Sequence, residues 1–127
     1  MIDHVSIAVR DLPAAGAFYD AVLAPIGLSR LVTREATIGF GKRYPEFWLN
    51  SRPHSVPGTD NPGTHICLRA PSREAVETFH ALAITLGARN EGAPAERTAT
   101  ITSYFGAFII DLDGNKIEAV TFPRGQD

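Results

Sequence analysis

The 127-residue sequence contains a single cysteine, so no internal disulfide can form and a reducing compartment is expected. No apolar run approaches the roughly 20 residues that a membrane-spanning helix needs. The N-terminal residues have neither the positive region nor the apolar core of a signal peptide. The net charge of −2 provides no basic surface for nucleic acid. These absences predict a cytoplasmic protein with neither a membrane nor a nucleic-acid partner.

Two segments about sixty residues apart have the same pattern. Residues 3–9 read DHVSIAV and residues 64–70 read THICLRA, each with a histidine at the second position of an alternating strand. Alternation places His4 and Ser6 on one strand face, and His65 and Cys67 on the corresponding face of the second strand. The repetition predicts two equivalent halves that share a site where they meet.

Both halves show the same order of elements, namely a strand, a helix and three more strands. Asp11 and Ser72 are predicted to cap the helices, and Gly27 and Gly87 to end them. The predicted strands are 3–9, 28–33, 36–40, 45–49, 64–70, 98–103, 104–110 and 116–122, and residues 89–96 are interpreted as a polar connection. The expected fold is α+β, with two βαβββ modules forming a cupped mixed sheet around a central cleft and the helices outside. A single domain, 1–127, would contain module 1 at about 1–52, a linker at 53–62 and module 2 at about 63–124.

Three side chains are candidate metal ligands, namely His4, His65 and Glu118. Glu118 lies in an otherwise apolar strand, where a carboxylate is costly to bury unless it is paired or binds a metal. Two imidazoles and a carboxylate suit a divalent ion with open coordination positions, and these residues do not distinguish Zn, Fe, Mn, Ni or Mg. The alternatives are histidines bonded to backbone groups and a salt bridge from Glu118 to an arginine.

Further candidates surround these ligands in the predicted cleft. Glu118 and Tyr104 are the candidate catalytic groups, although Tyr104 could equally be a core aromatic residue. The predicted substrate pocket comprises Trp48, Cys67, Arg69, Arg97 and Phe108. For Trp48 the alternative is plain packing, for Cys67 a buried inert thiol, and for the two arginines solvated surface charge.

The combined motifs resemble the vicinal oxygen chelate superfamily, also called the glyoxalase/bleomycin resistance/dioxygenase family. The matching segments are DHV at 3–5, FY at 18–19, GTHI at 63–66 and DLDGNKIE at 111–118. PEFW at 45–48 and NEGAP at 90–94 are similar to an uncharacterised bacterial glyoxalase-like branch. The resemblance implies paired modules around a divalent metal, and a homodimer.

The implied function is that of a metal-dependent lyase, isomerase or oxygenase acting on a small substrate that chelates the ion through vicinal oxygens. The alternative is a non-catalytic protein that sequesters a small molecule, as in bleomycin resistance. Trp48 stands where glyoxalase I supplies a glutamate ligand, so lactoylglutathione lyase activity is not expected. Glu46 lies two residues earlier on the same strand face, and whether it could substitute as a fourth ligand is left open.

Overall fold

A computed structural model describes residues 1–56, 63–98 and 101–123 of the chain. The strands are β1 (Val5–Val9), β2 (Ser29–Thr33), β3 (Thr37–Gly41), β4 (Pro45–Ser51), β5 (Ile66–Arg69), β6 (Arg89–Thr98), β7 (Ser103–Ile110) and β8 (Lys116–Thr121). The helices are α1 (Leu12–Leu23) and α2 (Arg73–Thr85). Within the described residues, neither helix is long and apolar enough to cross a membrane.

The strands form two four-stranded sheets with the same topology. The first has the order β1-β4-β3-β2 and the second the order β5-β8-β7-β6. In each sheet the first and last strands of the module pair in parallel, and the other neighbours are antiparallel. The expected α+β fold of two βαβββ modules is therefore confirmed. β1 and β5 are each an edge strand of their own sheet.

Local sequence explains where both helices begin and end. The Asp11 carboxylate accepts a hydrogen bond from the backbone N–H of Ala14 at 3.0 Å, and the Ser72 hydroxyl accepts one from Ala75 at 3.1 Å. Gly27 and Gly87 follow the helices with positive φ angles of 94° and 104°, which glycine adopts without steric cost. The predicted caps and the end of α2 at Gly87 are thus confirmed, whereas α1 ends at Leu23 and Gly27 lies in the turn that follows it.

Each helix covers one face of its sheet and contacts the other helix. Phe18 and Val22 of α1, and Val76 and Phe79 of α2, are at most 3% exposed. They pack in one apolar core with residues of the strands beneath them. Over the part of the chain that the structure describes, the opposite face of each sheet has no helix over it, and that face carries the candidate site residues.

The prediction of a strand at 98–103 is wrong. The strand β6 spans Arg89–Thr98, the stretch that was interpreted as a polar connection. It is an edge strand that pairs only with β7, and most of its side chains are exposed, so no apolar alternation marks it. Its register shifts between Gly92 and Ala95, where Pro94 can be accommodated because proline is tolerated at bulges. Residues 99–100, 57–62 of the predicted linker and the end of module 2 at 124 lie outside the described residues.

A buried hydrogen bond joins the two modules. The Tyr19 hydroxyl of α1 donates to Asp111 Oδ2 at 2.6 Å, and Asp111 Oδ1 accepts from the backbone N–H groups of Asp113 and Asn115. Burial raises the pKa of Asp111, and the hydrogen bonds from Tyr19 and Asn115 offset part of that rise. Asn115 also donates to the carbonyl of Ala8 at 3.0 Å, so the turn before β8 is anchored to module 1.

Tyr19→Phe is expected to lower the free energy of unfolding by about 1–2 kcal/mol at about pH 7, because a buried carboxylate loses a donor. The lost donor raises the pKa of folded Asp111 further. The deficit is therefore full above the raised pKa of the variant and shrinks as the pH falls from there to the folded pKa of the wild type, which already lies above its usual 3.8. Urea unfolding at about pH 7 and about pH 4 measures both effects.

Tyr44→Phe is the matched control for this measurement, because Tyr44 is 51% exposed. Its stability should stay within about 0.5 kcal/mol of the wild type at both pH values. An equal loss in the two variants would show that the Tyr19–Asp111 bond does not stabilise the module junction.

Candidate functional site

The centre of the candidate site is a histidine–glutamate pair on neighbouring strands. His65 immediately precedes β5, and Glu118 lies in β8, its parallel neighbour. His65 Nε2 lies 3.1 Å from Glu118 Oε1, a distance at which the imidazole can donate a hydrogen bond. Glu118 is only 4% exposed, and its second oxygen, Oε2, has no hydrogen-bond partner among the described residues. A buried carboxylate oxygen without a partner is costly, and it marks a position where a cation or a donor would be stabilised.

Two weak acids adjoin this carboxylate. Cys67 lies directly opposite Glu118 in the strand register, and Tyr104 lies in β7 on the other side of β8. Loss of hydration, followed by the negative charge of Glu118 and a hydrogen bond to it, raises the pKa of Cys67 to about 12. The same causes in the same order raise the pKa of Tyr104. Both groups therefore keep their protons at neutral pH and add no negative charge beside Glu118.

Phe108 forms a platform beside the pair, opposite Glu118 in the register of β7 and β8. The imidazole of His65 lies 5.9 Å from the Phe108 ring centroid, Arg97 Cζ lies 5.1 Å from it, and Lys116 Nζ lies 5.0 Å from it. Two fixed positive charges and an ionisable imidazole thus surround one aromatic ring. This arrangement favours an electron-rich or anionic group near Glu118.

The equivalent face of the first sheet differs in charge. His4 lies just before β1 and lines a shallow depression with Trp48 of β4, and its Nδ1 donates to Asp3 at 2.8 Å. Trp48 packs over Gly39, where a Cβ atom would approach the indole ring to 3.0 Å, and Arg34 stacks 5.6 Å from the ring centroid. The first sheet therefore offers an exposed histidine and an indole where the second offers a half-exposed histidine and a buried carboxylate.

Comparison with solved structures gives one likeness that decides the family. A glyoxalase/bleomycin resistance protein from Albidiferax ferrireducens is 30% identical, with a TM-score of 0.81, over 94% of this chain and 97% of that one. This chain belongs to the glyoxalase/bleomycin resistance family. The resemblance to the vicinal oxygen chelate superfamily is thereby confirmed.

Two more distant structures share the fold alone. A glyoxalase/bleomycin resistance protein/dioxygenase family enzyme from Burkholderia phytofirmans is 20% identical, with a TM-score of 0.72, over 96% of this chain and 98% of that one. A genomically encoded fosfomycin resistance protein from Listeria monocytogenes is 15% identical, with a TM-score of 0.67, over 98% of this chain and 94% of that one. No protein-family model and no curated protein matches the chain.

Members of this family are generally metal-dependent, and the donor set of this glyoxalase-family protein fits a metal in part. An imidazole nitrogen and a carboxylate with one unpartnered oxygen are adjacent at His65 and Glu118. Within residues 1–56, 63–98 and 101–123, no three His, Cys, Asp or Glu side chains converge closely enough to hold an ion. His4 of the same chain does not complete a three-ligand group with this pair.

The remaining pocket candidates divide into two groups. Phe108, Cys67 and Tyr104 lie around Glu118 as described above. Arg97 donates to the carbonyl oxygens of Gly106 at 3.1 Å and Ala93 at 2.8 Å, so two of its N–H donors already serve the β6–β7 pair. Arg69 lies further along β5, over Phe122.

Lys116 is a cation near the pair that sequence reasoning missed. The sequence places Lys116 two residues before Glu118 on the same strand, and residues i and i+2 share a strand face. This spacing could have predicted that Lys116 lies beside Glu118. It has no ion pair with a described acidic residue, although its ammonium group lies over Phe108. It is therefore available to interact with a ligand that enters beside Glu118.

Glu118→Gln is expected to raise the free energy of unfolding of the metal-free protein by about 1 kcal/mol. The variant replaces a buried carboxylate that has an unpartnered oxygen with a neutral amide. Glutamine retains an oxygen that can accept from His65. Urea unfolding in the presence of a chelator measures the difference.

Glu46→Gln is the matched control, since Glu46 is an exposed glutamate on a strand of the other sheet. Its stability should change by less than about 0.5 kcal/mol. A loss of about 1 kcal/mol or more in Glu118→Gln would show that the carboxylate serves the fold rather than a ligand.

Proposed function

We propose that this protein is a divalent-metal-dependent enzyme of the glyoxalase-like kind, acting on a small substrate with two vicinal oxygens. The observation that supports this function most strongly is the buried Glu118 carboxylate, which bonds to His65 through one oxygen and has no hydrogen-bond partner for the other among the described residues. His4, His65 and Glu118 would hold the ion. When bound, a divalent ion would polarise the chelating oxygens of the substrate.

The ligand set would be completed by a second copy of the chain. His65 and Glu118 lie on the helix-free face of the second sheet, while His4 lies in a depression on the first sheet. Since one chain does not bring three such ligands together among its described residues, a symmetric pair of chains is the simplest way to do so. A two-fold pair would place His4 of each chain against His65 and Glu118 of the other and create two identical sites.

The residues of this chain suggest how a substrate would be handled. The Tyr104 hydroxyl, which keeps its proton because of its surroundings, can donate a hydrogen bond to a substrate oxygen or return a proton to it. Lys116 lies over Phe108 and can stabilise negative charge that develops on the substrate. Trp48, which shares its depression with His4, would supply an apolar wall to the completed cleft.

Metal binding provides the direct test of the ligand set. Protein purified without chelator is expected to contain a divalent ion or to take up Co²⁺, and His4→Ala, His65→Ala and Glu118→Ala should each lose most of it. His54→Ala is the matched control, because His54 is an exposed histidine outside all strands and should leave binding unchanged. Equilibrium dialysis with elemental analysis measures the stoichiometry.

Mixing two inactive variants tests whether the site is shared. His4→Ala and His65→Ala chains, mixed equally and allowed to exchange subunits, should recover about a quarter of wild-type Co²⁺ binding. Random exchange makes about half of the dimers mixed, and each mixed dimer contains one complete site of two. No recovery despite demonstrated exchange would place all ligands in one chain.

Metal binding and oligomeric state together distinguish the metalloenzyme from a non-catalytic protein that sequesters a small molecule. Sedimentation should show a dimer, and a monomer that binds Co²⁺ through the three residues would overturn only the two-chain arrangement. A wild-type protein that binds no divalent ion would overturn the metalloenzyme and leave a cleft that sequesters small molecules without chemistry.

A further inference from the structure

A second concave region lies away from the histidine–glutamate pair. It is a groove of about 630 Å³, bounded by the ends of β5 and β8, the start of α2 and the β3–β4 turn. Crevices outside the carboxyl ends of parallel strands are frequent ligand sites in α/β sheets. Neither His65, Cys67 nor Glu118 lines this groove, so it is distinct from the candidate metal site.

The charged residues that line the groove are all positive. They are Lys42 of the first module, and Arg69 and Arg73 of the second. No aspartate or glutamate is among the described residues lining it. Three cations without a lining anion create a positive potential inside a partly enclosed space, and such a potential concentrates anions.

Two of the three cations, Arg69 and Lys42, have N–H groups that donate to no described residue. The Arg69 guanidinium lies over the Phe122 ring, with Cζ 4.7 Å from the ring centroid, and it makes no hydrogen bond or ion pair with a described residue. Lys42 likewise has no such partner among the described residues. Arg73 differs, because it forms an ion pair with Glu96 while its guanidinium lies 4.7 Å from the Phe105 ring. The stacked Arg69 is thus oriented in advance, with its planar edge free to bind an oxyanion in bidentate geometry.

The remaining walls of the groove are apolar. Phe105, Phe122 and Ile26 line it beside the cations. Aromatic and aliphatic walls stabilise the apolar part of a ligand, while a few polar groups determine its orientation. A simple inorganic ion would leave these walls in contact with water.

We propose that this groove binds a small organic anion, with its carboxylate or phosphate group on Arg69 and Lys42 and its apolar body against Phe122, Phe105 and Ile26. The two modules contribute jointly, since Lys42 comes from the first and Arg69 from the second. The inference does not depend on metal binding at His65 and Glu118, because the two sites share no lining residue.

Calorimetric titration of the 127-residue protein at low ionic strength tests this site with four probes, namely phenyl phosphate, benzoate, inorganic phosphate and neutral benzyl alcohol. We expect at least one of the two aromatic anions to bind more tightly than inorganic phosphate, and the alcohol not to bind. The preference between phenyl phosphate and benzoate identifies the headgroup. Equal binding of the alcohol, or no binding of either aromatic anion, would overturn the proposal.

Variants then locate the binding. Arg69→Gln and Lys42→Gln should each weaken binding of the preferred anion about tenfold, since each removes a charge-assisted contact. Arg43→Gln is the matched control, because Arg43 is exposed, follows Lys42 directly and is absent from the groove lining, and the substitution changes net charge equally. It should alter affinity less than about twofold, because exposed charges outside a site are largely screened.

Two further measurements exclude indirect effects. Arg69→Gln should retain the wild-type unfolding midpoint and the wild-type Co²⁺ content, which separates this groove from the candidate metal site. Arg69→Lys keeps the charge without the planar fork and should bind with intermediate affinity. Equal weakening in Arg43→Gln and Arg69→Gln would overturn the proposal, because it would show attraction by net charge alone.

Discussion

The burial of one carboxylate is the constraint on which the rest of the candidate site depends. Glu118 is almost completely removed from water on the helix-free face of a sheet, where His65 bonds to one of its two oxygens. Such a charge is unfavourable unless a further donor or a cation satisfies it. Its neighbours do not add negative charge, because Cys67 and Tyr104 both keep their protons at neutral pH. The positive groups around Phe108 then favour a ligand with anionic character.

The two modules have the same order of helices and strands, but their helix-free faces carry different side chains. The first presents His4 and Trp48, and the second presents His65 and Glu118. Trp48 occupies the place that corresponds to Glu118, so the first face has no buried anion of its own. The helices of the two modules contact each other, and the Tyr19–Asp111 bond joins the modules at the turn before β8. This packing leaves both helix-free faces without a helical cover and available to a ligand or to another chain.

Much of the fold could be predicted because its signals are local. Asp11 and Ser72 cap the helices through their own side chains, and Gly87 ends α2 through a backbone angle that other residues rarely adopt. The strand β6 was missed because an edge strand needs only one hydrogen-bonded neighbour and its exposed side chains need not be apolar. Membership of the glyoxalase/bleomycin resistance family was recognisable because several short motifs occur together at the proper separations.

The sequence by itself determined the repeat, the helix caps and the residue types that can bind a metal, since each depends on nearby residues or on composition. Only the tertiary structure decided which of these residues meet. The parallel pairing of β5 and β8 places His65 beside Glu118, although 53 residues separate them. The same packing commits Arg97 to backbone carbonyls and leaves Arg69 and Lys42 without a hydrogen bond or ion pair to a described residue. Strand register and module packing arise from contacts distant along the chain, and a local pattern does not specify them.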